Sequence, residues 1–242
     1  MNGKIIAVCG GNGVGKSTIC TNLATVLSED KIVILFAPRT DYPSIQSFFD
    51  MNIAENKKTK EALIIDPGDN AARIVQIIKE DGVVPVAVLL THGHFDHAMA
   101  AQEVAEQYGI KIYAHETEKE TLETPQINLS GMIGRTLTFH ADCYVKDGDI
   151  LNLAGFEIRV LHTPGHTQGG VCYYIEEEKA LFSGDTLFCQ SVGRTDFPTG
   201  KSSTLIHSIQ DKLMPLPDDT MVYTGHEDMT TIGMERKYNP FL

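Results

Sequence analysis

Three histidines and one aspartate lie within six residues of one another, as His92, His94, Asp96 and His97. They directly follow an apolar, strand-like run at residues 83–90. Imidazole and carboxylate groups are typical ligands of zinc and iron, and no cysteine lies within this run. In an extended loop, His92 and His94 point to one side, while Asp96 and His97 lie beyond them and can serve a second ion. The pattern favours a metal-binding loop over a solvated, histidine-rich loop.

Three further residues of ligand type follow strand-like segments downstream. His166 follows a segment at residues 156–160, and Asp185 and His226 each follow a short apolar run. A glycine stands directly before each of them and permits a sharp turn in which the backbone can approach an ion closely. Any one of the three could be a structural residue. Four strand ends that each present a ligand indicate a shared metal site.

This arrangement resembles the metallo-β-lactamase superfamily over residues 51–242. Four short motifs make the chain most similar to the small glyoxalase-II-like hydrolases of that superfamily. They are Ile-Asp-Pro-Gly-Asp at 65–69, Thr-Pro-Gly-His-Thr at 163–167, Gly-Arg-Thr-Asp-Phe-Pro at 193–198 and Asn-Pro-Phe-Leu at 239–242. The resemblance implies an α/β fold, a four-layer αβ/βα sandwich with the metals at one edge.

The resemblance also implies a ligand set for two divalent metal ions. Three histidines would hold one ion, one aspartate and two histidines would hold the other, and a further aspartate would bridge them. In that order the residues are His92, His94 and His166, then Asp96, His97 and His226, then Asp185. Zinc is the expected metal, with iron and manganese as alternatives.

Such a site predicts a metal-dependent hydrolase of a small-molecule thioester, similar to hydroxyacylglutathione hydrolase. A hydroxide that bridges the metals would attack the carbonyl carbon, Asp96 would help to orient it, and Asp185 would fix the metal spacing. A thiolate leaving group has a pKa of about 8.5 and needs no strong general acid. The sequence ends soon after His226. We therefore expect no C-terminal helical domain of the kind that helps glyoxalase II to bind glutathione, and the thiol carrier stays open.

A persulfide dioxygenase is the alternative enzyme. Such relatives share the ligand set but use one iron, held by two histidines and one aspartate, and the Gly-Arg-Thr-Asp-Phe segment at 193–197 is similar to theirs as well. The segments at residues 225–228 and 239–242 favour the hydrolase.

The first fifty residues indicate a different chemistry. A strand-like run at residues 4–9 leads into a phosphate-loop pattern at residues 10–17, followed by a helical stretch and a second strand at 31–37. The glycines would let backbone N–H groups surround a phosphate, with Lys16 adding charge and Ser17 binding Mg²⁺. The predicted nucleotide-binding residues are Gly10, Gly15, Lys16 and Ser17. This segment resembles the start of a ParA/MinD-like P-loop ATPase, and ATP or ADP with Mg²⁺ is the implied cofactor.

The ATPase resemblance ends early, because a second buried carboxylate and the signature lysine are missing. We therefore predict two units, a truncated P-loop segment at residues 1–50 and the hydrolase at 51–242. The hydrolase in turn lacks its usual first strand, so a fusion explains both gaps. We expect residues 4–9 or 31–37 to fill the vacated sheet edge. A nucleotide-binding module that uses the phosphate loop remains a function of a different class.

Composition agrees with a cytoplasmic enzyme. The net charge of −12 disfavours binding to nucleic acid or to an anionic membrane, and no apolar run is long enough to span a bilayer. Five cysteines form no C-x-x-C pair, which favours free thiols. The pattern leaves the oligomeric state open.

Apolar periodicity predicts helices at residues 71–80, 98–108 and 202–213 and a strand at 110–114. Asp66 is expected to support the metal loop by accepting a hydrogen bond. Arg194 is expected either to bind a substrate carboxylate or to brace Asp66 or Asp69. Of the adjacent Tyr173 and Tyr174, only one is expected to face the core.

Overall fold

The computed structural model describes residues 52–56 and 58–242, together with the backbone of two short strands, Ile6–Ala7 and Val33–Phe36. The predicted nucleotide-binding residues Gly10, Gly15, Lys16 and Ser17 lie outside the described residues, and so does the predicted boundary at residues 50 and 51. Both the phosphate loop and the division into two units therefore stay predictions.

The first sheet has seven strands, which are hydrogen-bonded in chain order. They are β1 (Ile6–Ala7), β2 (Val33–Phe36), β3 (Asn52–Glu55), β4 (Glu61–Ile65), β5 (Val84–Leu89), β6 (Lys111–His115) and β7 (Cys143–Val145). Strands β4 to β7 run parallel to one another, whereas β3 is antiparallel to both of its neighbours. The run predicted as a strand at 110–114 is shifted by one residue.

Strand β2 extends the sheet beyond the hydrolase segment. Its residue Ile34 pairs with Ala54 of β3, and β1 lies parallel to β2 on the outer side. The edge that was expected to be filled from the N-terminal segment is thus occupied by residues within the predicted range 31–37.

The second sheet has six strands in the order β15-β14-β11-β10-β9-β8. They are β8 (Ile150–Leu153), β9 (Phe156–His162), β10 (Val171–Ile175), β11 (Ala180–Gly184), β14 (Met221–Thr224) and β15 (Thr230–Thr231). Strands β8 to β11 form an antiparallel meander, and β14 returns parallel to β11. A small hairpin of β12 (Leu187–Phe188) and β13 (Ser191–Val192) follows β11.

Six α-helices lie outside the two sheets among the described residues. They are α1 (Ala71–Asp81), α2 (Phe95–Ala98), α3 (Ala101–Tyr108), α4 (Lys119–Glu123), α5 (Ser202–Ser208) and α6 (Ile232–Tyr238). Short 3-10 helices span Glu116–Glu118 and Ser130–Ile133. The first helix agrees with the prediction for 71–80 and ends at Gly82, whose positive φ of 66° closes its last turn.

Three apolar cores separate four layers, because side chains alternate across each strand. In β4, Ala62 and Ile64 face the helices α1 and α3, whereas Leu63 and Ile65 face the second sheet. The third core joins the outer face of the second sheet to α5 and α6. The predicted αβ/βα sandwich is therefore the observed architecture of the described residues.

The expectation that only one of Tyr173 and Tyr174 faces the core is wrong. Both are buried, Tyr173 between the sheets and Tyr174 against the outer helices. The expectation assumed that one face of the sheet is exposed to solvent. Helices cover that face, so side chains on both faces of the strand are in an apolar environment.

Two predicted helices are interrupted. The stretch predicted at 98–108 is split into α2 and α3, because the N–H of Ala100 donates to the carbonyl of Pro67 (2.9 Å) instead of continuing the helix. The stretch predicted at 202–213 changes from α5 to a π-helix at Ile209–Leu213, in which Met214 N–H donates to Ile209 O. In the first case the break lets the Pro67 turn approach the metal loop.

Candidate metal centre

The predicted ligands lie at carboxyl ends of strands that share one edge of the sandwich. The loop that begins at Thr91 follows β5, and His166 follows β9. Asp185 follows β11 and His226 follows β14. Strands β9, β11 and β14 point the same way, since β10 reverses direction between β9 and β11 and β14 is parallel to β11. The pleat and strand direction therefore bring residues that are far apart in sequence to one place.

Two contacts join the sheets beside the metal loop. The hydroxyl of Tyr173 in β10 donates to the carbonyl of Leu90 (3.0 Å), and Val171 N–H donates to the carbonyl of Thr91 (2.8 Å). The start of the ligand loop is thereby fixed to the second sheet, which supplies the other ligands.

The first group of candidate ligands, here called the three-histidine cluster, consists of His92, His94 and His166. The Nδ1 atom of His94 lies 3.0 Å from His92 Nε2 and 3.0 Å from His166 Nε2. All three residues are at most 3% exposed. Ligand nitrogens about 2.0–2.1 Å from a tetrahedral ion lie roughly 3.3 Å apart, so this spacing fits one metal ion.

The second group, here called the mixed cluster, consists of Asp96, His97 and His226. The Nε2 atoms of His97 and His226 are 3.3 Å apart, and His226 Nε2 lies 3.5 Å from an Asp96 carboxylate oxygen. The candidate ligand atoms of this cluster all lie within 4.8 Å of one another. His97 is buried, whereas the other two side chains are 17–20% exposed and border the opening of the site.

Asp185 contacts both clusters. One carboxylate oxygen lies 3.3 Å from His97 Nε2, and the other lies 3.5 Å from both His166 Nε2 and His226 Nε2. A single carboxylate between two groups of imidazoles is placed to bridge two cations. The structure thus brings together all seven sequence-predicted ligands.

Asp66 supports the loop, as predicted, by accepting three hydrogen bonds. Its Oδ1 accepts from Thr91 N–H (2.7 Å), and its Oδ2 accepts from the Thr91 hydroxyl (2.6 Å) and lies 3.1 Å from His97 Nδ1. This last contact holds the proton of His97 on Nδ1 and leaves Nε2 to face Asp185. Asp66, His92 and His97 also form a compact group, but the Asp66 oxygens are already occupied.

Glycines allow close approaches that a Cβ would block. A Cβ at Gly68 would lie 1.7 Å from the Asp96 carbonyl oxygen, and one at Gly193 would lie 1.8 Å from the Asp185 carbonyl oxygen. The motifs around residues 65–69 and 193–198 therefore pack their backbones directly against two candidate ligands. His166 Nδ1 also donates to the carbonyl of Arg194 (2.7 Å), which fixes the orientation of that ring.

The imidazoles fall into two electrostatic kinds. Burial, with the neighbouring rings, lowers the pKa of His94 to about 3 and that of His92 well below its usual range. For His226, burial is outweighed by Asp185, which raises the pKa to about 10. Although burial opposes it, His226 and His97 hold the pKa of Asp185 well below its usual range. Neutral nitrogens in the three-histidine cluster are ready to bind a cation, and the mixed cluster must release protons first.

Aromatic rings lie beside two of the candidate ligands. Phe197 lies edge-on to His94 with ring centres 5.8 Å apart, and Phe188 of the β12–β13 hairpin lies 6.2 Å from His226. Arg194 stacks on Phe197 at 3.9 Å and forms two hydrogen bonds with Asp196. The expectation that Arg194 braces Asp66 or Asp69 is wrong, because its carboxylate partner is Asp196 and the Asp66 oxygens are taken by Thr91 and His97.

One buried carboxylate near the site was not predicted from the sequence. Glu118 is fully buried and accepts hydrogen bonds from both loops that carry the three-histidine cluster. Its neighbours Glu116 and Glu120 are exposed, so the local sequence is typical of a solvated acidic segment. The position just after β6, at the same sheet edge as the ligands, is the one signal that could have indicated it.

The family model described as "Metallo-beta-lactamase superfamily" matches residues 54–226. The chain is 43% identical over 184 residues to the "Probable metallo-hydrolase YqgX" of Bacillus subtilis, covering 75% of this chain and 87% of the relative. It is 42% identical over 186 residues to the "Hydroxyacylglutathione hydrolase GloC" of Haemophilus influenzae, covering 76% of this chain and 88% of the relative.

Solved structures with similar folds include the B3 metallo-β-lactamase BLEG-1, with a TM-score of 0.79 and 40% identity over 86% of this chain and 98% of that one. ETHE1 from Myxococcus xanthus has a TM-score of 0.69 and 27% identity over 85% and 83% of the two chains. TTHA1623 in a di-iron-bound form has a TM-score of 0.71 and 33% identity over 85% and 100%. Family model, relatives and site geometry agree, and the chain belongs to the metallo-β-lactamase superfamily as a metallo-hydrolase.

Proposed function

We propose that this protein uses two divalent metal ions to hydrolyse a small-molecule thioester. The observation that carries the proposal is the position of Asp185, whose two carboxylate oxygens lie 3.3–3.5 Å from imidazoles of both clusters. An anion shared in this way is suited to two cations held close together. A site for one ion would use the side chains of only one cluster and would not account for the convergence of the other.

Each cluster offers a complete set of protein ligands for one ion. The three-histidine cluster supplies neutral nitrogens, and the mixed cluster supplies two imidazoles and the Asp96 carboxylate. When bound, two such ions lower the pKa of a shared water and polarise a carbonyl oxygen, which makes hydroxide available near neutral pH. Zinc is our proposal for both ions, and the similarity to a protein solved with two irons keeps iron as an alternative.

The chain's own residues prepare this chemistry by orientation and charge. Asp66 and the Arg194 carbonyl hold the rings of His97 and His166, so each presents one defined nitrogen. Asp96 lies at the opening, beside His226, where it can orient a water. Phe197 beside His94 and Phe188 beside His226 add apolar surface next to each cluster.

A thioester is the proposed substrate for two reasons. A thiolate is expelled without a strong general acid, since its pKa is about 8.5. The second reason is the 42% identity to a hydroxyacylglutathione hydrolase. The exposed Arg194, which is paired with Asp196 and stacked on Phe197, offers its remaining N–H donors and an apolar ring to the thiol carrier.

The test compares the wild-type protein with Asp185→Asn, using hydroxyacylglutathione and thioesters of other small thiols as substrates. The asparagine keeps the volume but removes the shared negative charge. We expect kcat/KM to fall by about 100-fold or more, the range over which loss of an electrostatic group in an active site reduces rates. A variant with wild-type kcat/KM would contradict the proposal.

A persulfide dioxygenase that uses one iron is a second candidate, because the Gly-Arg-Thr-Asp-Phe segment packs against Asp185 and His166 in the site. It predicts one iron per chain and oxygen consumption with glutathione persulfide. Release of thiol from a thioester without oxygen consumption would favour the hydrolase.

Nucleotide binding by Gly10, Gly15, Lys16 and Ser17 stays a prediction outside the described residues. It is tested by titration with ATP and Mg²⁺. Among the described residues, no helix is both long and apolar enough to cross a lipid bilayer. The cytoplasmic location remains a proposal.

A further inference from the structure

We propose that Glu118 is a positioning residue that holds the two loops of the three-histidine cluster in register for metal binding. This inference rests on the proposed two-metal function. Glu118 ends the 3-10 helix Glu116–Glu118, directly after β6. It contacts none of the candidate ligands itself in the hydrogen bonds of the described residues, so its effect would be transmitted through the backbone.

The two carboxylate oxygens of Glu118 divide between the two loops. Oε1 accepts from Gly93 N–H (2.9 Å), which lies between His92 and His94. Oε2 accepts from Gly169 N–H (2.7 Å) and from the Thr167 hydroxyl (3.2 Å), close after His166. One side chain therefore joins the loop after β5 to the loop after β9, which together supply all three imidazoles.

The contact depends on glycine in the second loop. A Cβ at Gly169 would lie 2.4 Å from Glu118 Oε2 and 2.5 Å from Glu118 N. Both distances are too short for non-bonded atoms, so any side chain at position 169 would push this loop away from Glu118 and break the hydrogen bond. The approach of the second loop to the carboxylate therefore requires glycine at position 169.

Glu118 is fully buried, and none of the ion pairs among the described residues gives it a lysine or arginine partner. Burial raises its pKa to about 7, against the hydrogen bonds that it accepts. A buried carboxylate without a cation is costly unless its hydrogen bonds are satisfied. An apolar side chain at this position would avoid the cost of burying a carboxylate. It would, however, leave the N–H groups of the two loops without acceptors, so the benefit of a glutamate here lies in the loops that it joins.

Replacement by glutamine separates shape from hydrogen bonding. Glutamine has the same length but only one acceptor oxygen, and its NH₂ group must face one of the two backbone N–H groups. Glu118→Gln therefore keeps the hydrogen bond to the backbone of one loop and loses the hydrogen bond to the other. Glu116→Gln is a matched control, because it makes the same substitution two positions away at an exposed residue.

The experiment measures metal per chain and the zinc affinity of each ion, by competition with a chromogenic chelator, in wild type, Glu118→Gln and Glu116→Gln. We expect two ions in wild type and in the control. In Glu118→Gln we expect one ion to bind about 10–100-fold more weakly, the usual effect of losing a residue that orients metal ligands. The second ion should keep its affinity, and cobalt substitution should show loss of one absorption component. A residue with a merely structural role would lower thermal stability without this selective change.

Two ions of wild-type affinity in a folded Glu118→Gln variant would overturn the inference and leave the two-metal function intact. Fewer than two ions in the wild-type protein would overturn the two-metal function and the inference together. If Glu118→Gln does not fold, Glu118→Asp decides, since it keeps the carboxylate but is one methylene shorter and cannot reach both Gly93 N–H and Gly169 N–H. A weaker affinity of one ion supports the inference, and unchanged affinities overturn it.

Discussion

Replacing Asp66 by asparagine should lower the affinity of the mixed cluster for its metal ion without removing any of the candidate ligands. Asp66 Oδ1 would still accept from Thr91 N–H (2.7 Å). The new NH₂ group would replace Oδ2, which accepts from the Thr91 hydroxyl (2.6 Å) and faces His97 Nδ1 (3.1 Å). A hydroxyl can turn to accept, but His97 cannot keep its proton on Nδ1 opposite an NH₂ group. If the proton moves to Nε2, the nitrogen that faces Asp185 is no longer free to bind a cation.

The expected loss of metal affinity follows from the one hydrogen bond, to His97 Nδ1, that asparagine cannot accept. A lost hydrogen bond that leaves a buried group unsatisfied costs about 1–3 kcal/mol, and more if the group is charged. At about 1.4 kcal/mol for each tenfold change, this corresponds to an affinity about 10–100-fold weaker. The same range is typical of residues that orient histidine ligands. We expect the ion in the three-histidine cluster to be affected less, because Asp66 reaches that cluster only through the Thr91 hydroxyl, which lies 3.1 Å from His92 Nδ1.

The assay is a competition titration with a chromogenic chelator on metal-free Asp66→Asn, with Asp69→Asn as control. Asp69 is three residues away, is partly exposed and makes none of these contacts, so it tests the effect of charge alone. An Asp66→Asn variant that binds both ions within twofold of wild type would refute the reasoning. So would an equal loss of affinity in the control.

Two further outcomes follow from the described contacts. Glu235 of α6 is fully buried and accepts hydrogen bonds from Gln190 N–H (2.8 Å) and the Asn239 amide (2.8 Å), which fixes the β12–β13 hairpin beside the site. Glu235→Gln should therefore lower the free energy of unfolding by about 1–3 kcal/mol in a denaturant titration. An unchanged free energy of unfolding would contradict this role. In metal-free protein, Asp185 raises the pKa of His226 above its unfolded value of 6.5 to about 10, so this stabilisation is complete below pH 6.5 and is lost as pH rises towards 10. Thermal unfolding of wild type and His226→Gln across that range checks it, and equal pH dependence in both would contradict it.

The convergence of the candidate ligands at one place was predictable because it depends on short-range patterns. Apolar strands followed by glycine and a ligand-type residue indicate strand ends, and strand ends of one direction meet at one sheet edge. For the same reason Asp66 could be assigned a supporting role, which its bonds to Thr91 and His97 confirm. The four-layer fold followed from the family resemblance, and the alternation in β4 accounts for it physically.

Features that depend on partners distant in sequence could not be predicted. The helix expected at 98–108 is interrupted because the carbonyl of Pro67, which is distant in sequence, accepts a hydrogen bond from the N–H of Ala100. Glu118 has the sequence environment of a solvated acid, and only the packing of Gly93 and Gly169 around it shows that it is buried. Tyr174 is buried because α5 and α6 cover the outer face of its sheet. In each case the local pattern is compatible with more than one tertiary environment.

The most direct test of the two-metal account is the metal content of the wild-type protein, purified without added metal and measured by elemental analysis with protein quantified by amino-acid analysis. The geometry of the three-histidine cluster, the mixed cluster and Asp185 predicts about two divalent ions per chain. Removal of the ions with a chelator should abolish thioester hydrolysis, and restoring two equivalents of zinc should recover it. One ion per chain after saturation with zinc, with full hydrolytic activity, would contradict the account.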